Sequence, residues 1–297
     1  PPGAREARMA RISADYYNAN SRTNRMRKNF WHQLILPGVN LSNEEYNLCI
    51  EKLEEFQPRV LWGYTSAPTG LAQHIERNNI KTSFRPELIV TWAAPLYDHE
   101  RATLERVFQC SITNIYGSRE LGHVALMCPE GHLHINQEHY FVENESESDG
   151  EPGELLITTL FKRPMPFIRY RIGDIGSINR TDKCACGRSL QIMDSLLGRT
   201  GEIVFAPSGR MLSPNFWCRA FMAEELIGQV KRFQVVYGPE NNIRVRIEPF
   251  GTLSPAAESA LINYAEHHLK DDYHFVVEYV SEIKSQPSGK YQMIVHE

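Results

Sequence analysis

Arg59-Val60-Leu61-Trp62-Gly63-Tyr64 is the stretch that decides the fold class. It is an apolar run short enough for a buried strand, and the residues behind it, from about Leu71 to Arg77, have helical spacing. The same alternation repeats downstream. Residues 87–92 (Glu-Leu-Ile-Val-Thr-Trp) read as a second strand. Leu104, Val107 and Phe108 mark one face of a helix that starts near Asp98, and Ser111 to Ile115 make a third strand. Strand, helix, strand at this rhythm predicts an open α/β sheet. Upstream, Ser42 and Glu45 form an S-x-x-E capping box, and Tyr46, Cys49, Ile50 and Leu53 follow at helical spacing as far as Pro58.

Beyond about residue 121 the rhythm changes. Short strand candidates at 134–135, 140–143, 154–160 and 167–172 are separated by turn chemistry such as Ser-Asp-Gly-Glu-Pro-Gly at 148–153, which predicts a small antiparallel barrel or distorted sheet. Further on, Val230 to Tyr237 and Ile243 to Ile247 flank a Gly-Pro-Glu-Asn-Asn turn and read as a hairpin. Ser254-Pro255 opens a helix with Leu261, Ala265, His268 and Leu269 on one face, and Phe275 to Val280 returns as a strand. The expected division is therefore an α/β layer over 1–120, a β-rich part over 121–199 and a small α+β domain over 200–297. Arg5, Arg8, Arg11, Arg22, Arg25, Arg27 and Lys28 read as a solvated surface segment, with an anion-binding arm as the alternative.

Composition narrows the function class. The 297 residues are 42% hydrophobic and 23% charged, with a net charge of -4 and a mean hydropathy of -0.40. This excludes a mainly disordered chain. No apolar run approaches the roughly 18 residues that would cross a bilayer, and the acidic balance is a poor footprint for a nucleic-acid binder, so neither membrane nor nucleic acid is expected as a partner. Six cysteines are too sparse for a disulfide scaffold, and a reducing, cytoplasmic setting is expected.

Five constellations could carry chemistry. Cys128-Pro-Glu-Gly-His132-Leu-His134 and Cys184-Ala-Cys186-Gly187 offer the thiolates and imidazole that zinc prefers in a closed structural site, with unrelated reduced thiols as the alternative. His132 and His134 compete for the fourth position. Asn114-Ile-Tyr116-Gly117-Ser118-Arg119-Glu120 stands where a buried strand meets a loop, the edge at which open α/β sheets bind ligands. Tyr116 offers a face for a flat ring and Glu120 a carboxylate for Mg2+. Asp174, after Gly173, could accept two hydroxyl hydrogen bonds as ribose recognition requires, although a plain Gly-Asp turn reads the same. Gly198-Arg199 marks a junction, and Lys290 in Gln286-Pro-Ser-Gly289-Lys290 could meet a phosphate or simply lie on the surface.

Taken in order, these segments resemble the adenylate-forming superfamily of acyl- and aryl-CoA synthetases, most of all its phenylacetate-CoA ligase branch. The likeness runs through Leu61-Trp-Gly-Tyr64, Ala93-Ala94-Pro95-Leu96, Tyr116-Gly-Ser-Arg-Glu120, Ile168-Arg-Tyr-Arg-Ile-Gly-Asp174, Cys184-Ala-Cys-Gly-Arg188, Gly198-Arg199 and Ser288-Gly-Lys290. The resemblance implies an adenine pocket lined by Ala93, Ala94 and Pro95, with Asn114 and Tyr116 at the base and Gly117 permitting close approach. It implies Ser118 at the α-phosphate or carboxylate, Glu120 on Mg2+, and Asp174 with Arg199 on the ribose. Lys290 would stabilise charge as the carboxylate attacks the α-phosphate, after which the acyl group passes to coenzyme A while the small domain rotates. Zinc on Cys128, His134, Cys184 and Cys186 fits that branch.

The family's T-S-G-T-T-G-x-P phosphate loop is absent, so the resemblance implies a longer protein, extended upstream by on the order of 100 residues. Gly201 stands where the hinge aspartate is usual, and Ser118-Arg119 replaces the small-residue-Thr pair before the Mg2+ carboxylate. The expected function is ATP-dependent activation of an aryl or arylacetic acid to its adenylate, followed by transfer to coenzyme A. The alternatives are transfer to an amine or carrier thiol, a zinc-ribbon binding module, or a catalytically silent relative. The acid is left unnamed by the sequence, and a homodimer is left open.

Overall fold

The computed structural model describes residues 4–10, 30–38, 41–146, 150–161, 164–179, 183–208, 211–212, 214–221, 225–226, 229–269, 272–284 and 292–297. The chain forms two compact units, Pro1–Val142 with Ile157–Arg169 and Ile178–Asp194, and Glu143–Leu156 with Tyr170–Ser177 and Ser195–Glu297.

The first unit is built on β1 (Glu6–Ala10), β2 (Gln33–Pro37), α1 (Asn43–Phe56), β3 (Val60–Tyr64), α2 (Ser66–Arg77), β4 (Leu88–Trp92), α3 (Asp98–Phe108), β5 (Ser111–Ser118), β6 (Gly122–Met127) and β7 (Leu133–Ile135). The strands lie in the order β2-β1-β3-β4-β5-β6-β7. Pairing is parallel from β2 to β5 and antiparallel from β5 to β7. Register sets the core. Ala7 pairs with Leu61, Leu61 with Ile89 and Ile89 with Ile112, and this row is at most 3% exposed. Cys49, Ile50 and Leu53 of α1, Leu71, Ala72 and Ile75 of α2, and Leu104 and Phe108 of α3 cover it. The capping box is formed as expected: Glu45 N–H donates to Ser42 Oγ at 3.2 Å, and Ser42 N–H donates to Glu45 Oε2 at 2.8 Å.

Several expectations need correction. Glu6–Ala10 is a strand with Ala7 and Met9 fully buried, so the N-terminal residues are not all a solvated segment; Arg11, Arg22, Arg25, Arg27 and Lys28 lie outside the described residues. The candidate strand at 167–172 begins only at Tyr170, because Arg169 adopts φ 47°, a left-handed conformation outside the extended region that a residue with a Cβ takes in a strand. It then runs on as β10 (Tyr170–Asn179), after β8 (Tyr140–Glu145) and β9 (Gly153–Thr159) and before β11 (Ile192–Arg199). Gly173-Asp174 therefore sits inside a strand rather than at a terminal turn. β6 and β11 were not anticipated; Ile192 of β11 pairs with His134 and Met193 with Leu133.

In the second unit, β12 (Val204–Phe205) and β13 (Met211–Leu212) form a short ribbon ahead of α4 (Pro214–Ala220). The expected hairpin is β14 (Val230–Tyr237) and β15 (Asn242–Pro249), and α5 (Pro255–Leu269) carries the chain back to β16 (His274–Tyr279), parallel to β15. A further strand, β17 (Ile294–His296), joins β14 and gives the order β16-β15-β14-β17. Val235, Ile243, Val245 and Ile247 bury one sheet face against Leu261, Ala265 and Leu269 of α5. Trp217, fully buried, donates its Nε1–H to Tyr237 Oη at 2.9 Å. Tyr237→Phe strands that buried donor, and we expect a loss of about 1–3 kcal/mol in urea unfolding.

Candidate functional site

The parallel strands β3, β4 and β5 end level with one another: Tyr64 pairs with Trp92, and Trp92 with Ile115. Just past this C-terminal edge runs Ala93-Ala94-Pro95. Ala93 has φ 72°, a left-handed conformation that costs a residue with a Cβ on the order of 1 kcal/mol, so the loop must be held in place. Thr65, just past β3, and Asn114 of β5 hold it. Thr65 N–H donates to Trp92 O at 3.1 Å, and Thr65 Oγ1 donates to Ala94 O at 3.0 Å. Asn114 Nδ2 reaches Thr91 Oγ1 at 2.8 Å and Ala94 O at 3.2 Å. Thr65, Thr91 and Asn114 are all buried, while Ala93 and Ala94 face solvent.

β5 continues through Tyr116, Gly117 and Ser118 before turning into β6, so these residues lie on a strand and not on a loop. Tyr116 is buried, and the register shifts between it and Gly117. A Cβ on Gly117 would stand 1.9 Å from the Gly122 carbonyl, so only glycine fits the hairpin here. Ser118 Oγ accepts from Leu121 N–H at 3.3 Å and fixes the tip, where Arg119 and Glu120 are exposed. Both the loop and the hairpin belong to the first unit.

Asp174 and Arg199 come together within the second unit. Asp174 is buried, and Arg199 Nε lies 2.9 Å from its Oδ1, with Arg199 Nη1 donating to Ile172 O at 3.2 Å. Gly173 takes φ 78° beside them. Lys290 lies outside the described residues.

The cysteine and histidine residues do converge. One ligand atom each from Cys128, His134, Cys184 and Cys186 lie within 4.8 Å of one another. Two turns of one shape deliver the sulfurs. Gly131 N–H donates to Cys128 O at 2.9 Å, Gly187 N–H donates to Cys184 O at 3.0 Å, and both glycines have φ above 80°. His134 is buried with Nε2 3.4 Å from Cys186 Sγ and Nδ1 3.2 Å from Leu190 O. A proton on Nδ1, donated to that carbonyl, leaves the Nε2 lone pair facing the sulfurs. His132 is exposed, with Nδ1 3.3 Å from Cys184 Sγ. Burial opposes ionisation of Cys186, yet hydrogen bonds from the Arg188 backbone, Cys184 and the Arg188 side chain outweigh it and lower its pKa. Three thiols with one oriented imidazole fit a tetrahedral zinc ion, whereas a hard cation would find no oxygen ligand in this set.

Comparison with known proteins follows the same line. No family model matches the chain. It is 27% identical over 283 residues to protein CapK of Staphylococcus aureus, covering 91% of this chain and 61% of CapK. It is 29% identical over 163 residues to the phenylacetate-coenzyme A ligase of Thermus thermophilus, covering 51% of this chain and 36% of that protein. The sequence likeness is to the adenylate-forming ligase superfamily. The fold agrees: a 2-hydroxyisobutyryl-CoA ligase in the postadenylation state with R3-HIB-AMP aligns with all of this chain and 66% of its own, at TM-score 0.75 and 15% identity. The chain spans less than two thirds of either curated relative. No helix among the described residues is long and apolar enough to cross a membrane.

The sequence alone does not single out Thr65 and Thr91. Thr65 falls between a strand and a helix and Thr91 lies in a strand, where threonine is common, so only the register reveals that Thr65 donates to Ala94 O and that Thr91 accepts from Asn114. Gly117→Ala must push its new methyl into the Gly122 carbonyl. We expect it to destabilise the protein by on the order of 3 kcal/mol in denaturant unfolding.

Proposed function

We propose that this protein is an adenylate-forming ligase that activates a carboxylic acid, aryl or arylacetic, with ATP and passes the acyl group to coenzyme A. The observation that carries the reading is the strained Ala93–Pro95 loop, held by Thr65 and Asn114 at the edge of the sheet beside the Tyr116–Glu120 hairpin. An exposed loop fixed by buried hydrogen bonds is a rigid wall for a flat base, and rigidity is what positioning a reactant requires.

In the first step the substrate carboxylate attacks the α-phosphorus of ATP, the bond to the β-phosphate oxygen breaks, and pyrophosphate leaves. Ser118 orients the reacting groups, and Asp174 receives the ribose hydroxyls with Arg199 holding its carboxylate. Lys290 stabilises the charge that builds on the phosphoryl oxygens. Mg2+, held by Glu120, would supply further neutralisation there. In the second step a thiol attacks the acyl carbon and AMP leaves.

Acid-dependent pyrophosphate release by the full-length protein across a panel of aryl and alkyl acids tests this directly. Release with none of them overturns the reading. Lys290→Ala is expected to lower release by about 10²–10³-fold while thioester formation from preformed adenylate persists.

We also propose that Cys128, His134, Cys184 and Cys186 hold a structural zinc ion. The purified protein should contain one zinc per chain by elemental mass spectrometry. Cys184→Ser and His134→Ala should lose the metal and lower Tm, whereas His132→Ala should keep it. Retention by His134→Ala together with loss by His132→Ala would reverse the assignment. Because the thiolates must be unprotonated, affinity should fall as pH is lowered.

A further inference from the structure

We infer that Thr65, Thr91 and Asn114 act as one positioning unit that sets the shape of the Ala93–Pro95 loop, with Thr65 and Thr91 controlling nucleotide binding without touching the nucleotide. This rests on the adenylate-forming reading above and assigns a role to two residues outside the family motifs.

The argument begins with hydrogen-bond accounting. The Asn114 amide has two N–H donors, and two strong acceptors lie within reach: Thr91 Oγ1 at 2.8 Å and Ala94 O at 3.2 Å. Thr91 Oγ1, having accepted from Asn114, donates its own proton to Thr113 O at 3.2 Å. Thr65 Oγ1 donates to Ala94 O at 3.0 Å, with Trp92 O also in range at 3.3 Å. Every donor of the trio is thereby directed, and the Ala94 carbonyl receives two of them. Thr91 is fully buried and Thr65 and Asn114 are at most 4% exposed, so none of these bonds is exchanged for water.

Thr65 supplies a second sign. It stands at the start of α2 with helical backbone angles, φ −46° and ψ −42°, and Pro68 three residues on has no N–H to offer, so its hydroxyl makes no capping bond and is left to the loop.

The third sign is Ala93 itself. With φ 72° it would leave the left-handed region if released, because a residue with a Cβ prefers negative φ. The clamp and the strain oppose each other, so weakening the clamp should let the loop relax into a shape that no longer fits a base. Glycine at position 93 has no such preference and should tolerate a weakened clamp.

The test is steady-state kinetics of the full-length protein with ATP and its best acid. Thr91→Val and Thr65→Val keep the shape of the side chain and remove only the hydroxyl. Each should raise KM for ATP by about tenfold, on the scale of one buried hydrogen bond, and leave KM for the acid within about twofold. The double variant should fall short of the product of the two. Thr91→Ser should restore the wild-type value, which separates hydroxyl loss from misfolding. Ala93→Gly should recover part of the loss when placed on Thr65→Val, a rescue that a purely structural role for Thr65 does not give.

Unchanged KM for ATP in folded Thr91→Val, equal shifts for ATP and acid, or no rescue by Ala93→Gly overturns the inference. Ala94→Trp separates it from the reading beneath it. If Ala94→Trp leaves KM for ATP unchanged, the loop is not the base pocket and the reading fails. If Ala94→Trp raises KM while the threonine variants do not, only the positioning unit fails.

Discussion

The first unit depends on one row of side chains, Ala7, Leu61, Ile89 and Ile112, stacked across four parallel strands beneath three helices. Parallel pairing gives the sheet no hairpin to fix its register, so burial must do it, and a slip of one residue would turn the whole row to the other face. The same register has a polar consequence. Two residues along, Thr91 pairs with Asn114 on the face that Ile89 and Ile112 bury. The apolar row thus delivers two polar side chains into a dry layer at the end of the strands. They must find partners there: Thr91 donates to Thr113 O and accepts from Asn114, whose amide also reaches the Ala94 carbonyl of the loop just beyond. The site is a product of the core's register.

The sequence made the frame legible wherever local pattern and burial coincide. β3, β4, α3 and the Ser42 capping box each carry a complete local signature, and each forms. β1 was missed because its inward residues, Ala7 and Met9, alternate with Glu6 and Arg8 in a segment rich in arginine, and alanine is too small to announce a buried face. β10 starts late because Arg169 is left-handed, a backbone state that nothing in Phe-Ile-Arg-Tyr signals. β17 is three residues long and gains its place only from pairing with β14.

Legibility of the site follows the same division. Thiols and imidazoles are few and chemically distinct, so their spacing could be read, and burial then separated His134 from His132. Asn114 was identified as part of the edge, but Thr65 and Thr91 were not, because a threonine that directs its hydroxyl to a carbonyl 22 to 29 residues away looks like any other threonine. The information is in the pairing of β3, β4 and β5, which no single segment contains.

The metal cluster shows why side-chain chemistry must substitute for a core in places. The apolar cluster around it consists of Cys128, Cys184 and Ile192, with Cys186 packed against them. One isoleucine and three sulfurs offer little more than the burial of a single large side chain, a few kcal/mol at about 25 cal/mol per Å². That is a small return for fixing two turns, 128–131 and 184–187, that stand more than fifty residues apart, since each ordered residue costs about 1–2 kcal/mol in backbone entropy. Hydrogen bonds inside each turn shape it, and the pairing of Ile192 with His134 and Met193 with Leu133 brings the two segments together. On the zinc reading proposed above, a shared ion would add a joining force that this little burial does not supply. On that reading the ion would tie together two turns that share little apolar surface of their own.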